Sequence, residues 1–221
     1  MVKAAHCLWN DETNSPYAPK KFAVALGKIY RAWDDVGDPG AHKSDVKSIA
    51  VPARFRGGKT NYQEDISLVI LSTPVKYSPF IQPVCIDFSR ELESVQLDTS
   101  LGKVAGWGLT SEDGPPSQVL KTKELLHVDL RRCMQDLPAN FISMVTGDKI
   151  CADAIKGTTI CRGDSGGGVA FPTLDGRGIQ RYYLRGVVST APASEHLCNV
   201  KSHILLTRVS DHEIFITQKY P

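Results

Sequence analysis

The segment Cys161-Arg162-Gly163-Asp164-Ser165-Gly166-Gly167-Gly168 sets a serine among glycines. A serine nucleophile needs its hydroxyl exposed on a tight turn, with backbone N–H groups aimed where an oxyanion would form. Glycines permit that backbone and let a substrate approach closely. A second segment, Ala4-Ala5-His6-Cys7, offers an imidazole, the side chain that most often serves as a base. A third, Asp65-Ile66-Ser67-Leu68-Val69-Ile70-Leu71, places an acid at the head of an apolar strand. Each alone has a plain alternative: a Gly-rich surface turn, an ordinary histidine, an aspartate ending a turn. A histidine, an aspartate and a serine in this order, each in its own local setting, are hard to obtain by accident.

The chain around them is built for short strands. Phe22–Leu26, Asp45–Val51, Ile66–Leu71, Val119–Leu130, Tyr182–Ser189 and Ile204–Val209 are rich in β-branched and apolar residues. Between them lie Asp38-Pro39-Gly40, Arg56-Gly57-Gly58, Asp113-Gly114-Pro115-Pro116 and Asp175-Gly176-Arg177-Gly178, which are turn chemistry. This pattern predicts an all-β sandwich or barrel. Ser210-Asp211-His212-Glu213 fits a capping box and predicts a C-terminal helix. A short helix is expected between Arg131 and Met144, limited by Pro138.

With 221 residues, 42% of them hydrophobic and 23% charged, the chain has material for a real core. Lys plus Arg number 26 against 24 Asp plus Glu, a balance that speaks against a dedicated nucleic-acid binder or a polybasic membrane module. No apolar run is long enough to span a bilayer. The six cysteines form no C-x-x-C pair, against a zinc ribbon or thioredoxin-type centre, and their even number suits disulfides in an oxidising compartment. Yet the opening residues do not pair a basic region with an apolar one, so they do not read as a secretion signal.

The three segments resemble those of the chymotrypsin-type (trypsin-like) serine proteases. The resemblance runs from Ala4-Ala5-His6-Cys7 through Ala105-Gly106-Trp107-Gly108 and the 161–168 segment to the terminal helix. It implies an all-β fold of two perpendicular six-stranded antiparallel β-barrels, the first incomplete, with the site in the crevice between them and a C-terminal helix. A single domain would fill 1–221, with about 1–90 as the remnant of the first barrel and about 101–221 as the second barrel and helix. By the same resemblance His6 is general base and then acid, Asp65 holds its tautomer, and Ser165 is the nucleophile. The N–H groups of Gly163 and Ser165 form the oxyanion hole, and Ser189 supports the aspartate. No cofactor and no metal is implied.

The resemblance also sorts the cysteines. It implies disulfides Cys133–Cys151 and Cys161–Cys198, each closing a loop worth roughly 3–4 kcal/mol in the chain-entropy model. Cys85 matches a cysteine that ties the protease domain to its upstream region, and Cys7 one whose partner precedes this sequence. On this reading the chain is an N-terminally truncated protease domain. In such proteases a new α-ammonium made by cleavage pairs with the residue equivalent to Asp164. Without that cation the active arrangement is not expected to persist. The expectation is a chain that is inactive or zymogen-like.

The resemblance also implies a specificity. In such proteases the residue six before the serine sets the base of the primary pocket; here it is Thr159, with no anion to receive Lys or Arg, and Ala191 and Ile204 are expected at the pocket walls. A small or medium apolar side chain is expected before the scissile bond. Asp34, Asp35 and Asp38 read as a solvated acidic loop rather than a calcium site, and Arg54, Arg56 and Lys59 around Phe55 as a solvated face. No Asn-x-Ser/Thr sequon occurs, so N-glycans are not expected.

More narrowly, Lys28-Ile29-Tyr30-Arg31-Ala32-Trp33, Cys85 and Gly157-Thr158-Thr159-Ile160-Cys161 resemble the modular serine proteases of insect haemolymph. That implies a secreted, extracellular initiator of an innate-immune zymogen cascade. Its implied partners are a downstream zymogen as protein substrate, upstream recognition modules through Cys85, and a serpin-type inhibitor, with neither nucleic acid nor membrane. Two alternatives stay open: a non-catalytic homologue acting as a binding or regulatory cofactor, and a nonfunctional or regulatory fragment.

Overall fold

The computed structural model describes residues 1–111, 113–155, 160–192 and 202–219. The first half contributes β1 (Val2–Lys3), β2 (Trp9–Asn10), β3 (Ser15–Pro16), β4 (Ala23–Leu26), β5 (His42–Ala50) and β6 (Ser67–Leu71). Helix α1 (Arg90–Thr99) leads into β7 (Gly102–Gly106) and β8 (Lys121–Val128). Then come α2 (Leu130–Asp136), β9 (Lys149–Ala154), β10 (Gly168–Leu174), β11 (Gln180–Thr190), β12 (Ile204–Arg208) and α3 (Glu213–Lys219).

Strands β7 to β12 close a six-stranded antiparallel barrel in the order β10-β11-β12-β9-β8-β7, whereas β1-β6-β5-β4 form an open four-stranded sheet. The expected second barrel and incomplete first barrel are therefore both present. On the open side of the sheet a cleft of about 490 Å³ is lined by Leu8, Phe22, Val24, Val46, Ile49 and Val69, among others.

Strand periodicity explains how the barrel is held. Ile204 and Leu206 of β12, with Ile150 and Ala152 of β9, belong to the barrel's interior cluster alongside Val104, Leu125 and Phe171. The intervening Leu205 and Cys151 point to the other face and pack with Val128, Cys133 and Leu137. Alternation on a pleated strand produces this division, so a strand covered on both sides reads as an apolar run. The Cys133–Cys151 disulfide forms within the outer cluster and ties α2 to β9. Cys161 is disulfide-bonded as well, while Cys198, its expected partner, lies outside the described residues.

A third cluster joins the two halves: Ala4, Ile66 and Leu68 of the open sheet pack with Leu184, Val187, Val209 and Ile216 of the barrel and terminal helix. At roughly 1.5–3 kcal/mol per fully buried large side chain, this seam fixes how the halves meet.

Two expectations are corrected, and one element, helix α1, has no counterpart among them. Its inward face is Glu93, Gln96 and Leu97, so the polar residues that give it away as buried conceal its amphipathic period. Glu93 is buried because Arg90, Arg208 and Ser210 all donate to it. That last bond removes Ser210 from the expected capping box, and the chain instead passes through a 3-10 turn, Val209–His212, before α3. Finally, Val119–Leu130 is not one strand: β8 ends at Val128, and the Asp129 side chain accepts from Arg131 N (3.0 Å) and Arg132 N (3.3 Å) to start α2.

Candidate active site

The register of β1 on β6 creates the first half of the site. Lys3 pairs with Ser67 and Val2 with Leu68, so the residues after Lys3 run beside the residues before Ser67. Ser67 Oγ donates to Lys3 O (2.9 Å), fastening that edge. His6, in the 3-10 turn Ala5–Leu8, thereby meets Asp65. Its backbone N–H donates to Asp65 Oδ1 (2.8 Å) and its ring Nδ1 lies 2.7 Å from Asp65 Oδ2. Ser189 Oγ, from β11 of the barrel, donates to the same Oδ2 at 2.5 Å. The fully buried Asp65 carboxylate is thus engaged by three donors from both halves of the molecule.

The serine segment is anchored to the same strand. Gly166 N donates to Val188 O (2.8 Å) and Val188 N to Gly167 O (2.9 Å), one residue from Ser189. Gly163 has φ of +100° and Gly166 of +75°, left-handed backbone that favours glycine. Gly166 has a second reason: an added Cβ would stand 2.6 Å from Lys3 Nζ and 3.1 Å from Cys7 Sγ. Among the described residues the N–H groups of Gly163 and Ser165 have no hydrogen-bond acceptor, which leaves both free for an oxyanion.

Asp164 was expected to stand without a cation, and this is corrected. Its carboxylate is buried and accepts from Lys123 Nζ (2.5 Å), Cys161 N (3.0 Å) and Gly108 N (3.2 Å). Lys123 reaches it from β8 across the barrel interior. Gly106 and Gly108 make the seat, since a Cβ on either would fall within 2.5 Å of an Asp164 oxygen.

The hydroxyl of Ser165 makes no hydrogen bond to His6 among the described residues. Instead Cys7 Sγ stands 3.4 Å from His6 Nε2 and donates toward Ser165 O at 3.7 Å, where Lys3 Nζ also donates (3.2 Å). Burial of the ring disfavours its charge, but the hydrogen bonds to Asp65 and Cys7 and the negative charge of Asp65 outweigh burial, and the His6 pKa rises to about 10. With Asp65 at Nδ1 and Cys7 at Nε2, both N–H groups of an imidazolium have acceptors. An imidazolium cannot accept the serine proton, so near neutral pH the base is occupied; its free fraction grows as pH rises through that value. Cys7→Ala removes the acceptor at Nε2 and is expected to lower the His6 pKa. Each unit of decrease gives about tenfold more free base at neutral pH. The pH dependence of covalent capture at Ser165 by an organophosphorus probe checks this, and a midpoint unmoved by Cys7→Ala contradicts it.

Of the other anticipated residues, Thr159 lies outside the described residues. Ala191 is exposed at the end of β11. Ile204, expected at a pocket wall, is placed in the barrel core instead. Cys7 and Cys85 are both free thiols here. Asp38 does not belong to a solvated loop: it is buried, 2.7 Å from Lys28 Nζ, and accepts from Ile29 N and Tyr30 N. No group of three or more His, Cys, Asp or Glu among the described residues is placed to hold a metal. No described helix is long and apolar enough to cross a membrane.

The family model described as Trypsin matches residues 1–210. The chain is 30% identical over 225 residues to a modular serine protease of Drosophila melanogaster, covering 98% of this chain and 33% of that protein. It is 32% identical over 195 residues to clotting factor C of Tachypleus tridentatus, covering 86% of this chain and 18% of that protein. With phenoloxidase-activating factor 3 of Holotrichia diomphalia it shares 28% identity over 226 residues, 99% of this chain and 60% of that protein. The chain thus spans a third or less of the first two and under two thirds of the last.

Proposed function

We propose that this chain, which belongs to the trypsin family of serine proteases, is an endopeptidase that cleaves protein substrates through an acyl-enzyme on Ser165. The observation that carries the proposal is the array Ser189–Asp65–His6 beside a serine segment whose two candidate oxyanion donors are unengaged. In the forward reaction free-base His6 takes the Ser165 proton as the oxygen adds to the scissile carbonyl. The N–H groups of Gly163 and Ser165 receive the oxyanion, and His6 then gives the proton to the leaving amine. Water, activated by the same imidazole, releases the acyl group.

The resting chain is zymogen-like, because His6 is held as an imidazolium and Ser165 is not bonded to it. Its setting is an extracellular innate-immune cascade, by analogy with the relatives named as modular serine protease, clotting factor and phenoloxidase-activating factor. A downstream zymogen is then its substrate, upstream modules attach through Cys85, and a serpin-type inhibitor can act on it. Thr159 offers no anion for Lys or Arg, so a small or medium apolar side chain is preferred before the scissile bond. The missing Ser165–His6 bond equally favours a second reading, a binding cofactor without catalysis.

Peptidyl phosphonates carrying Val, Leu or Arg at the position before the phosphorus, followed by mass spectrometry, separate these. The expected result is a slow adduct on Ser165, faster for Val or Leu than for Arg and absent in Ser165→Ala. No adduct at any pH between 7 and about 10 would overturn catalysis and leave the cofactor reading; faster capture by the Arg probe would overturn the apolar preference.

A further inference from the structure

The Asp65 segment is held in an unusual backbone. Asn61, Tyr62 and Glu64 have φ of 51°, 55° and 59°, left-handed conformations that non-glycine residues adopt at a cost and keep only where their surroundings hold them. The holding groups come from the opposite half of the molecule. Lys149, at the start of β9, has a fully buried side chain whose Nζ donates to Tyr62 O (2.7 Å) and Thr207 Oγ1 (3.2 Å). Its neighbour Asp148 accepts from Glu64 N at 2.8 Å. Asp148 is itself fixed by Thr146 Oγ1 (2.5 Å) and lies 3.5 Å from Lys149 Nζ and 3.4 Å from His212 Nε2. Two adjacent residues of the closed barrel therefore grip the main chain one and three residues before Asp65.

The geometry points to Asp148 and Lys149 as positioning residues of the hydrolytic site, a charged latch across the two halves that keeps the Asp65 carboxylate aimed at His6. The inference rests on the proteolytic reading above and names groups that no motif in the sequence marks. A buried ammonium without acceptors would be costly, so Lys149 has a strong reason to keep the Tyr62 carbonyl in place. It also acts through space. Its charge interacts with Asp65 and with Asp148, the residue before it; the titratable groups around Asp148 are His212 from the turn before α3 and Glu64, which Arg54 covers from outside.

Lys149→Met keeps most of the side-chain volume and removes both the charge and the hydrogen bonds. The capture rate of Ser165 by a phosphonate is expected to fall tenfold to about a hundredfold, the scale of a small misplacement in a catalytic array. Loss of the ammonium should also raise the pH midpoint of capture, because Lys149 offsets part of the Asp65 charge that favours the His6 imidazolium. A role confined to stability would lower the melting temperature and leave that midpoint unmoved. Asp148→Asn, which retains an acceptor for Glu64 N, is the milder partner: it should fold, and should lose less reactivity than Lys149→Met. The second readout is the low-field proton NMR resonance of the His6–Asp65 hydrogen bond, expected to broaden or shift in Lys149→Met. An unchanged resonance together with an unchanged capture rate and midpoint in folded Lys149→Met would overturn the latch. An unreactive Ser165 in the parent chain would overturn the proteolytic reading alone, and the resonance would still decide the latch.

Discussion

Lys123→Met is expected to reduce covalent capture of Ser165 by about a hundredfold or more and to lower the melting temperature of the chain. The argument is electrostatic. Asp164 sits in a closed seat with Lys123 as its cation and two backbone N–H donors. Removing one member of such a buried pair strands the other, at about 3–5 kcal/mol. The carboxylate can escape that penalty by protonating or by leaving the seat. Leaving takes with it the backbone of Gly163 and Ser165, whose N–H groups are the proposed oxyanion donors, and losing one such donor alone costs about 10²–10³ in rate. The charge origin has its own check. Lys123→Met combined with Asp164→Asn removes both charges, so the double variant should be more stable than Lys123→Met alone, a large favourable coupling between neighbours. A folded Lys123→Met chain with parental capture rate and melting temperature would contradict the assignment.

The expectation of an unpaired Asp164 shows where reading the sequence stops. The local pattern was legible: His6, Asp65 and Ser165 each sit in a segment whose residue types suggest a task, and the structure brings His6 to Asp65 and ties the Ser165 segment to the strand bearing Ser189. Lys123 carried no such mark. In Lys121-Thr122-Lys123-Glu124 it reads as one more polar position on a half-exposed strand, and only barrel closure turns its side chain inward toward Asp164. Lys149 was hidden for the same reason. Helix α1 was missed because Glu93 and Gln96 occupy the face that apolar residues usually mark, their burial made possible by Arg208, Ser210 and Arg185, all distant in sequence. The apolar strands Ile66–Leu71 and Ile204–Val209 were legible because a strand buried on both faces leaves its record in composition. Buried polar groups leave theirs only in their partners.

Those partners share a logic. Each carboxylate on which the site depends is met by a group from the barrel wall: Asp164 by Lys123 of β8, Asp65 by Ser189 of β11, and the backbone of Tyr62 and Glu64 before Asp65 by Lys149 and Asp148 at the head of β9. The closed barrel acts as the rigid reference, and the smaller open sheet delivers His6 and Asp65 to it. A site assembled this way is sensitive to proton placement as well as to position.

Asp65→Asn tests proton placement directly. The amide is nearly isosteric with the carboxylate, so packing at this buried position should survive. Asp65 Oδ1 accepts from His6 N, which fixes the amide oxygen of an asparagine on that side and leaves the NH₂ group facing His6 Nδ1 and Ser189 Oγ. A donor at Nδ1 forces the neutral imidazole to carry its proton on Nε2, the nitrogen that must accept from Ser165. The base is then present in the wrong tautomer. The expected fall in peptide hydrolysis is about 10⁴-fold, a magnitude taken from the equivalent change in the trypsin triad. Loss of the carboxylate charge also removes a main support of the raised His6 pKa, so the imidazolium should titrate at lower pH even as the rate collapses. The two effects move in opposite senses: more neutral imidazole at pH 7.5, yet less reaction. Parallel measurement of the His6 titration by NMR and of hydrolysis by a chromogenic peptide checks the pair. If the rate instead follows the free-base fraction upward, Asp65 acts on the charge of His6 and not on its tautomer.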